Sequence, residues 1–216
     1  LEAYCMEGSL DGKSNAHYVM ANFADRQLTA IEKYRKTNEF AFTIKSVDKM
    51  KRTIDKLNAN LDKFSGSKLL ALRKYLKDMM IDLERDTSKL ERLEFLCCQW
   101  QLLAARHFAD CLTLGRDNSL RAAFRLVSIW LNAGSTLPEI GKVLVPERTN
   151  DGNLSVPCCK LLPLAPQLAS RLSKVRGDDF EADVSFVFSK MTAAHPAHCL
   201  WLLVALSNST RAAPPG

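Results

Sequence analysis

Glycine and proline are scarce, at 9 and 8 of 216 residues. A strand-and-turn architecture needs many of both, so an all-helical fold leads from the start. Aromatic residues make up 8% of the chain. Few of them, Phe64 and Tyr75 among them, fall in its most basic stretch. The basic-and-aromatic stripe of a nucleic-acid binder is therefore missing. No apolar run approaches the ~18–20 residues that a membrane span needs. The N-terminus has no basic region followed by an apolar core, which argues against a secretory signal. There is no glycine-rich phosphate loop, nor a catalytic Asp with a downstream metal-binding Asn in a suitable loop, so phosphoryl-transfer machinery is not expected.

What is present is ordinary for a soluble globular protein: 47% hydrophobic and 25% charged residues, enough for one large domain or two small ones. The net charge is +6. From Lys45 to Arg92 there are 13 Lys/Arg against 8 Asp/Glu, so most of the excess lies in one segment, with both signs interspersed. That mixture reads as a solvated helical face rather than a nucleic-acid patch. The seven cysteines are Cys5, the pair Cys97-Cys98, Cys111, the pair Cys158-Cys159, and Cys199. Several lie inside apolar helical patterns, as reduced thiols do, and an intracellular, reducing compartment is the expectation. The chain starts without Met and ends in Ala-Ala-Pro-Pro-Gly, which reads as part of something longer.

Taken in order, Leu1 to Glu7 reads as the tail of a helix, broken over Gly8 to Gly12. Ser14 or Asn15 then caps a helix through Thr37. Apolar residues follow at Phe40, Ile44, Val47, Met50, Ile54, Leu57, Leu61 and Phe64, close to the 3.5-residue repeat of a coiled-coil seam. After Ser65-Gly66-Ser67 the pattern resumes at Leu69, Leu72, Leu76, Met79 and Leu83. This is an antiparallel helical hairpin, either a projecting coiled coil or an amphipathic pair packed on the domain. The second arm runs on, increasingly apolar, to Leu114, where Gly115 suits a C′ position with positive φ. Shorter helices follow over Leu120 to Asn132 and Leu137 to Val145, the latter capped by Ser135 or Thr136. A loop covers Pro146 to Asn153. An irregular helix from Lys160 to Lys174 is expected to split near Pro166. Gly177-Asp178-Asp179 caps a helix to Ala194, and Pro196 starts a last helix ending near Thr210. In that helix, Cys199 to Leu206 is the densest apolar run of the chain, which implies burial on every side. The division is 1–37, 38–115 and 116–216. The fold class is all-α: a degenerate α-solenoid of TPR or HEAT type with a long helical hairpin.

Candidate chemistry is thin. Cys158 and Cys159 with His195, His198 and Cys199 offer zinc-ligand types without the paired C-x₂₋₄-C spacing of structural sites. A Cys–His nucleophile there lacks a third, orienting group. No catalytic residue, metal or cofactor is expected. Arg125 and Arg171 interrupt apolar helix faces; each needs a buried acceptor, snorkels to water, or contacts a partner. The prolines at 157, 163 and 166 either hold a bend or mark loop edges.

Certain motifs carry a family resemblance. Phe124-Arg125-Leu126-Val127-Ser128-Ile129-Trp130-Leu131 resembles a segment of the FAT domain of ATM-like phosphatidylinositol-kinase-related protein kinases. The family's Pro-x-Tyr-Lys-Phe-Leu-Pro-Leu-x-Tyr-Gln-Leu-x-x-Arg pattern is matched by Pro157, Lys160, Leu162, Pro163, Leu164, Gln167, Leu168 and Arg171. Its His-Pro-His-His helix corresponds to His195-Pro196-Ala197-His198 with Trp201 and the aliphatic run. Upstream, Phe23-Ala24-Asp25-Arg26-Gln27, Ile31 to Tyr34, Asn38-Glu39-Phe40, and Cys111-Leu112 with Gly115 also fall into register, so the resemblance covers roughly residues 16–210. Cys159 and Pro166 stand where the family has tyrosine, Leu161 where it has phenylalanine, and Ala197 where it has histidine. The resemblance implies a non-catalytic helical-repeat scaffold that lies directly before, clamps and regulates a serine/threonine kinase domain absent from this chain. It implies as partners that kinase domain, the other FAT helices and a second copy in a homodimer, with nuclear location and a DNA-damage-response role. Direct nucleic-acid and membrane contact are not implied. Together with the heptad steps it suggests the hairpin, with Val47, Ile54, Leu57, Leu61, Leu69, Leu72, Leu76 and Leu83 as its seam, as a lever or dimer contact. A free-standing helical adaptor for a protein or peptide is the alternative.

Overall fold

The computed structural model describes residues 10–115, 118–148, 152–172 and 179–211. Among these there are helices and no strands: α1 (Leu10–Arg35), α2 (Asn38–Asn58), a 3₁₀ turn (Leu61–Lys63), α3 (Gly66–Leu114), α4 (Ser119–Ala133), α5 (Pro138–Leu144), α6 (Cys158–Leu161), a second 3₁₀ turn (Leu162–Leu164), α7 (Ala165–Leu172), α8 (Asp179–Ala194) and α9 (Pro196–Arg211). The readings of Leu1 to Glu7 and of Gly177-Asp178 lie outside the described residues. Contacts group the chain into two compact units, Gln27–Gln99 and the remainder, with the divisions falling within α1 and α3.

In the unit of residues 27–99, α1 ends with Lys33 and Arg35 in its last turn, where cations complement the helix dipole. Thr37 does not extend α1. It is the N-cap of α2: its hydroxyl accepts the Phe40 amide at 3.2 Å and donates to the Tyr34 carbonyl at 2.7 Å, which fixes the corner between the helices. Gly66, at φ +64°, opens α3 in a conformation that disfavours a side chain. Val47, Ile54 and Leu76 are buried, and Leu57, Leu61, Leu69, Leu72 and Leu83 are half-buried. Ile44 and Phe64, both on the heptad steps, are exposed instead, because two helices cover only a narrow stripe of one another.

In the other unit, α1 and α3 pair antiparallel. Ser14 meets Cys111, Tyr18 packs edge-on to Phe108, and Phe23 packs edge-on to Trp100, so one number rises as the other falls. Ala21, Ala24, Ala104 and Ala105 are fully buried, small residues that allow close approach. Ser14 is not a cap. It lies inside α1, buried, and its hydroxyl donates to the Cys111 carbonyl at 3.0 Å. Gly115 has no positive φ. Its lack of a side chain serves contact, since a Cβ there would collide with Ser14.

The core is built from α3 to α9. Phe108 and Leu112 of α3, Leu126 and Trp130 of α4, Ile140 and Leu144 of α5, Leu161, Leu164 and Leu168 around α6 and α7, and Met191 of α8 are all fully buried. Each such side chain contributes about 1.5–3 kcal/mol of apolar transfer. α8 packs on α5, α6 and α7, and α9 packs on α7 and α8, so successive short helices lie against their neighbours in sequence as in a solenoid. The split of the Lys160 helix comes at the 3₁₀ turn Leu162–Leu164, which contains Pro163. Pro166 sits in the first turn of α7, where the missing amide costs nothing. Thr136 bonds back to the Ala133 carbonyl at 3.0 Å, and the N-cap of α5 is Leu137, without a side-chain bond.

Candidate interaction surfaces

The final helix departs most from its sequence reading. Pro196 does start α9, with His195 and Pro196 at its N-terminus. The apolar run is not buried on every side. Cys199 and Leu202 are buried, at a spacing of three that marks one helix face. Leu200 (51%), Trp201 (59%), Leu203 (37%) and Val204 (58%) are exposed. A tryptophan and three aliphatics on one helix, largely bared to water, form the contiguous kind of patch that marks an interaction site.

A second surface lies between α4 and α7. Phe124, Arg125, Ser128, Leu131 and Asn132 of α4 and Gln167 and Arg171 of α7 line a groove of about 400 Å³. Four residues singled out from sequence, Phe124, Arg125, Gln167 and Arg171, thus line one groove. Arg125 has its carboxylate: Nε donates to Asp25 Oδ2 at 2.9 Å and an η-nitrogen to Oδ1, a bidentate pair that ties α4 to α1. Arg171 is exposed, in the last turn of α7.

The other marked residues lie away from that groove. Trp130 is fully buried, edge-on to Phe180 at 5.7 Å, with its Nε1 lacking a hydrogen-bond partner. Lys160 reaches from α6 to donate to the carbonyls of Leu112 and Gly115 at the C-terminal end of α3. Pro157 precedes α6, and Pro157 and Pro163 are exposed. His195 is half-buried and His198 exposed, their rings edge-on at 6.3 Å. These histidines and Cys158, Cys159 and Cys199 do not converge as a ligand set among the described residues. Burial pushes the thiols of Cys97, Cys111 and Cys158 up, which keeps them protonated and poor nucleophiles.

Two features escaped sequence reasoning. On α2, Lys45, Lys49, Arg52 and Lys56 line one groove with Asp48 and Thr53, so the local charge is more one-sided than its alternation along the chain suggests. His17, His107 and Asp110 come together although His17 and His107 are 90 residues apart. Only the antiparallel pairing of α1 with α3 brings them into contact, and no local spacing signals it.

A third cleft, about 530 Å³, lies where α5 and its flanking turns meet α8. Arg148 bridges Asp183 at 2.7 Å and Asp179 at 3.1 Å on its wall. Burial, opposed by Arg148, holds the Asp183 carboxyl above the ordinary range. Asp183 also faces Gly141, where any Cβ would strike its carboxylate. Among the described residues no helix is long and apolar enough to cross a membrane.

No family model matches the chain. It is 28% identical over 208 residues, 93% of its length, to the serine-protein kinase ATM of Sus scrofa. It is 25% identical over 209 residues, 94% of its length, to the serine/threonine-protein kinase ATM of Arabidopsis thaliana. The chain spans only 6% and 5% of those relatives. Among solved structures it is similar to the FAT and kinase domain of CtTel1, with a TM-score of 0.61 at 18% identity, covering 91% of this chain and 12% of that one. It is likewise similar to the complete CtTel1 dimer with C2 symmetry, with a TM-score of 0.60 at 18% identity, covering 91% and 6%. The likeness to CtTel1 shows the helical FAT fold, and the match lies outside the catalytic domain.

Proposed function

We propose that this ATM-like FAT segment is a non-catalytic scaffold whose helix α9 docks the kinase domain of its own full-length chain. The observation that carries the reading is the bared face of α9: Leu200, Trp201, Leu203 and Val204 are exposed while Cys199 and Leu202 anchor the helix. The similarity to ATM kinases and to the FAT and kinase domain of CtTel1 supports it. The α2–α3 hairpin then serves as lever or dimer contact, in line with the dimer solved for CtTel1. The kinase activity, the nuclear location and the DNA-damage role of the whole protein belong to the same proposal. In the full-length kinase, Trp201→Ser with Val204→Ser should alter basal activity without changing dimerisation, and deletion of residues 38–93 should weaken dimerisation. Unchanged activity in the first and unchanged dimerisation in the second overturn the proposal.

A second reading, an adaptor for a peptide, rests on the groove of Phe124, Gln167 and Arg171. An acidic peptide held there would lose affinity on Arg171→Glu. Such a variant leaves the α9 face untouched, so the two readings separate.

A further inference from the structure

His17 of α1 faces His107 and Asp110 of α3, outside every surface described above. The two Nδ1 atoms lie 2.8 Å apart, and His17 Nδ1 lies 3.4 Å from Asp110 Oδ2. One ligand atom from each of the three residues falls within a 4.8 Å cluster. The His17 side chain is 14% exposed and that of Asp110 53%, so the cluster has a buried side and a side open to solvent.

We propose that His17, His107 and Asp110 form a binding site for a divalent transition-metal ion of the zinc type. Two imidazole nitrogens and one carboxylate oxygen are the donor set that such borderline ions take. The distances suit one ion. With metal–ligand bonds of about 2.0–2.1 Å, a separation of 2.8 Å places two ligands at roughly a right angle. The 3.4 Å separation corresponds to roughly 110° on the same bond lengths. Both angles belong to neighbouring positions in ordinary coordination. Asp110 is one helical turn from His107 and, being half-exposed, can rotate to close the third side.

The scaffold is rigid where this matters. One turn along α1 from His17, Ser14 is locked to the Cys111 carbonyl, and Tyr18 packs on Phe108. Ligands carried by close-packed helices are held more precisely than ligands on loops. Without an ion, the short Nδ1–Nδ1 contact requires one ring to donate its proton to the other. With an ion, both rings take the tautomer protonated at Nε2 and present their Nδ1 lone pairs. The solvent side leaves room for water as a further ligand.

The test is titration of the purified chain with cobalt(II) and zinc(II), followed by visible spectroscopy and metal analysis after gel filtration. The expected result is one equivalent of cobalt, displaceable by zinc, in a nitrogen–oxygen site without the sulfur-to-metal charge-transfer band that cysteine would give. His17→Ala and His107→Ala should each weaken it by more than about tenfold, the lower bound even for an outer-shell partner. Asp110→Asn should weaken it less than either. Circular dichroism of each variant confirms folding, and Asp110→Asn, at an exposed position, keeps the test open if a histidine variant fails to fold. Absence of binding, a thiolate spectrum, or equal affinity in folded His17→Ala overturns the proposal.

Discussion

Replacing Lys160 by Met tests how the long helix α3 is terminated. The last carbonyls of any α-helix lack intrahelical partners. In α3 the Cys111 carbonyl is taken by the Gly115 amide at 3.2 Å and by the Ser14 hydroxyl at 3.0 Å. The carbonyls of Leu112 and Gly115 are both served by the Lys160 ammonium, in a part-buried setting. Hydrogen bonds from a charged donor contribute about 1.5–3 kcal/mol each, and a cation at a partly buried helix C-terminus up to ~2 kcal/mol. Ordering the lysine side chain costs up to ~2 kcal/mol, and desolvating its charge costs more. The net expected loss in Lys160→Met, which keeps the apolar stem, is ~2 kcal/mol, roughly a thirtyfold change in the folding equilibrium. Urea unfolding followed by circular dichroism measures it, and hydrogen exchange of the amides around Cys111 to Gly115 shows whether the helix end frays first. Lys160→Arg should not restore the loss, because a planar guanidinium cannot converge on two carbonyls as a compact ammonium does. A loss below ~0.5 kcal/mol in Lys160→Met refutes the reasoning, since the two contacts would then be incidental.

Four further outcomes are expected. In a double-mutant cycle on Asp25→Ala and Arg125→Ala, read by thermal unfolding, the coupling should be about 1–2 kcal/mol, discounted from a buried pair because the Arg125 side chain is 43% exposed; zero coupling removes the pair from the packing of α1 on α4. Gly115→Ala should destabilise by about 1–3 kcal/mol, and adding Ser14→Gly should recover part of that loss if the clash with Ser14 is its cause. Thr37→Ala should lose about 1 kcal/mol with the N-cap of α2, measured in the same unfolding assay. Asp183 has a folded pKa above its ordinary 3.8, so it binds more protons folded than unfolded. Its favourable contribution is present below 3.8 and is lost as pH rises through the folded value. Asp183→Asn should therefore gain stability relative to the parent chain as pH is raised from about 4 to about 7, and a constant difference across that range overturns the assignment.

What could be read in the residues depended on how far apart in sequence the deciding contacts lie. The two long helical arms were legible because each heptad step is local and the second arm follows one turn later. Ile44 and Phe64 kept the same rhythm and still ended in water, since rhythm states which face is apolar and not whether anything covers it. Ser14 has a good capping side chain, yet its partner is a carbonyl 97 residues away. Gly115 is absent of side chain because of that same serine and not because of its own backbone. His17 and His107 carried no local signal at all. The run Cys199 to Leu206 combines both lessons. Its composition forecast burial all round, but α7 and α8 are the packing partners the stack provides, and they leave Trp201 and Val204 bare. At 59% and 58% exposure those side chains contribute only part of their apolar transfer free energy to this unit. On the proposed docking of α9, substituting them should cost docking far more than folding.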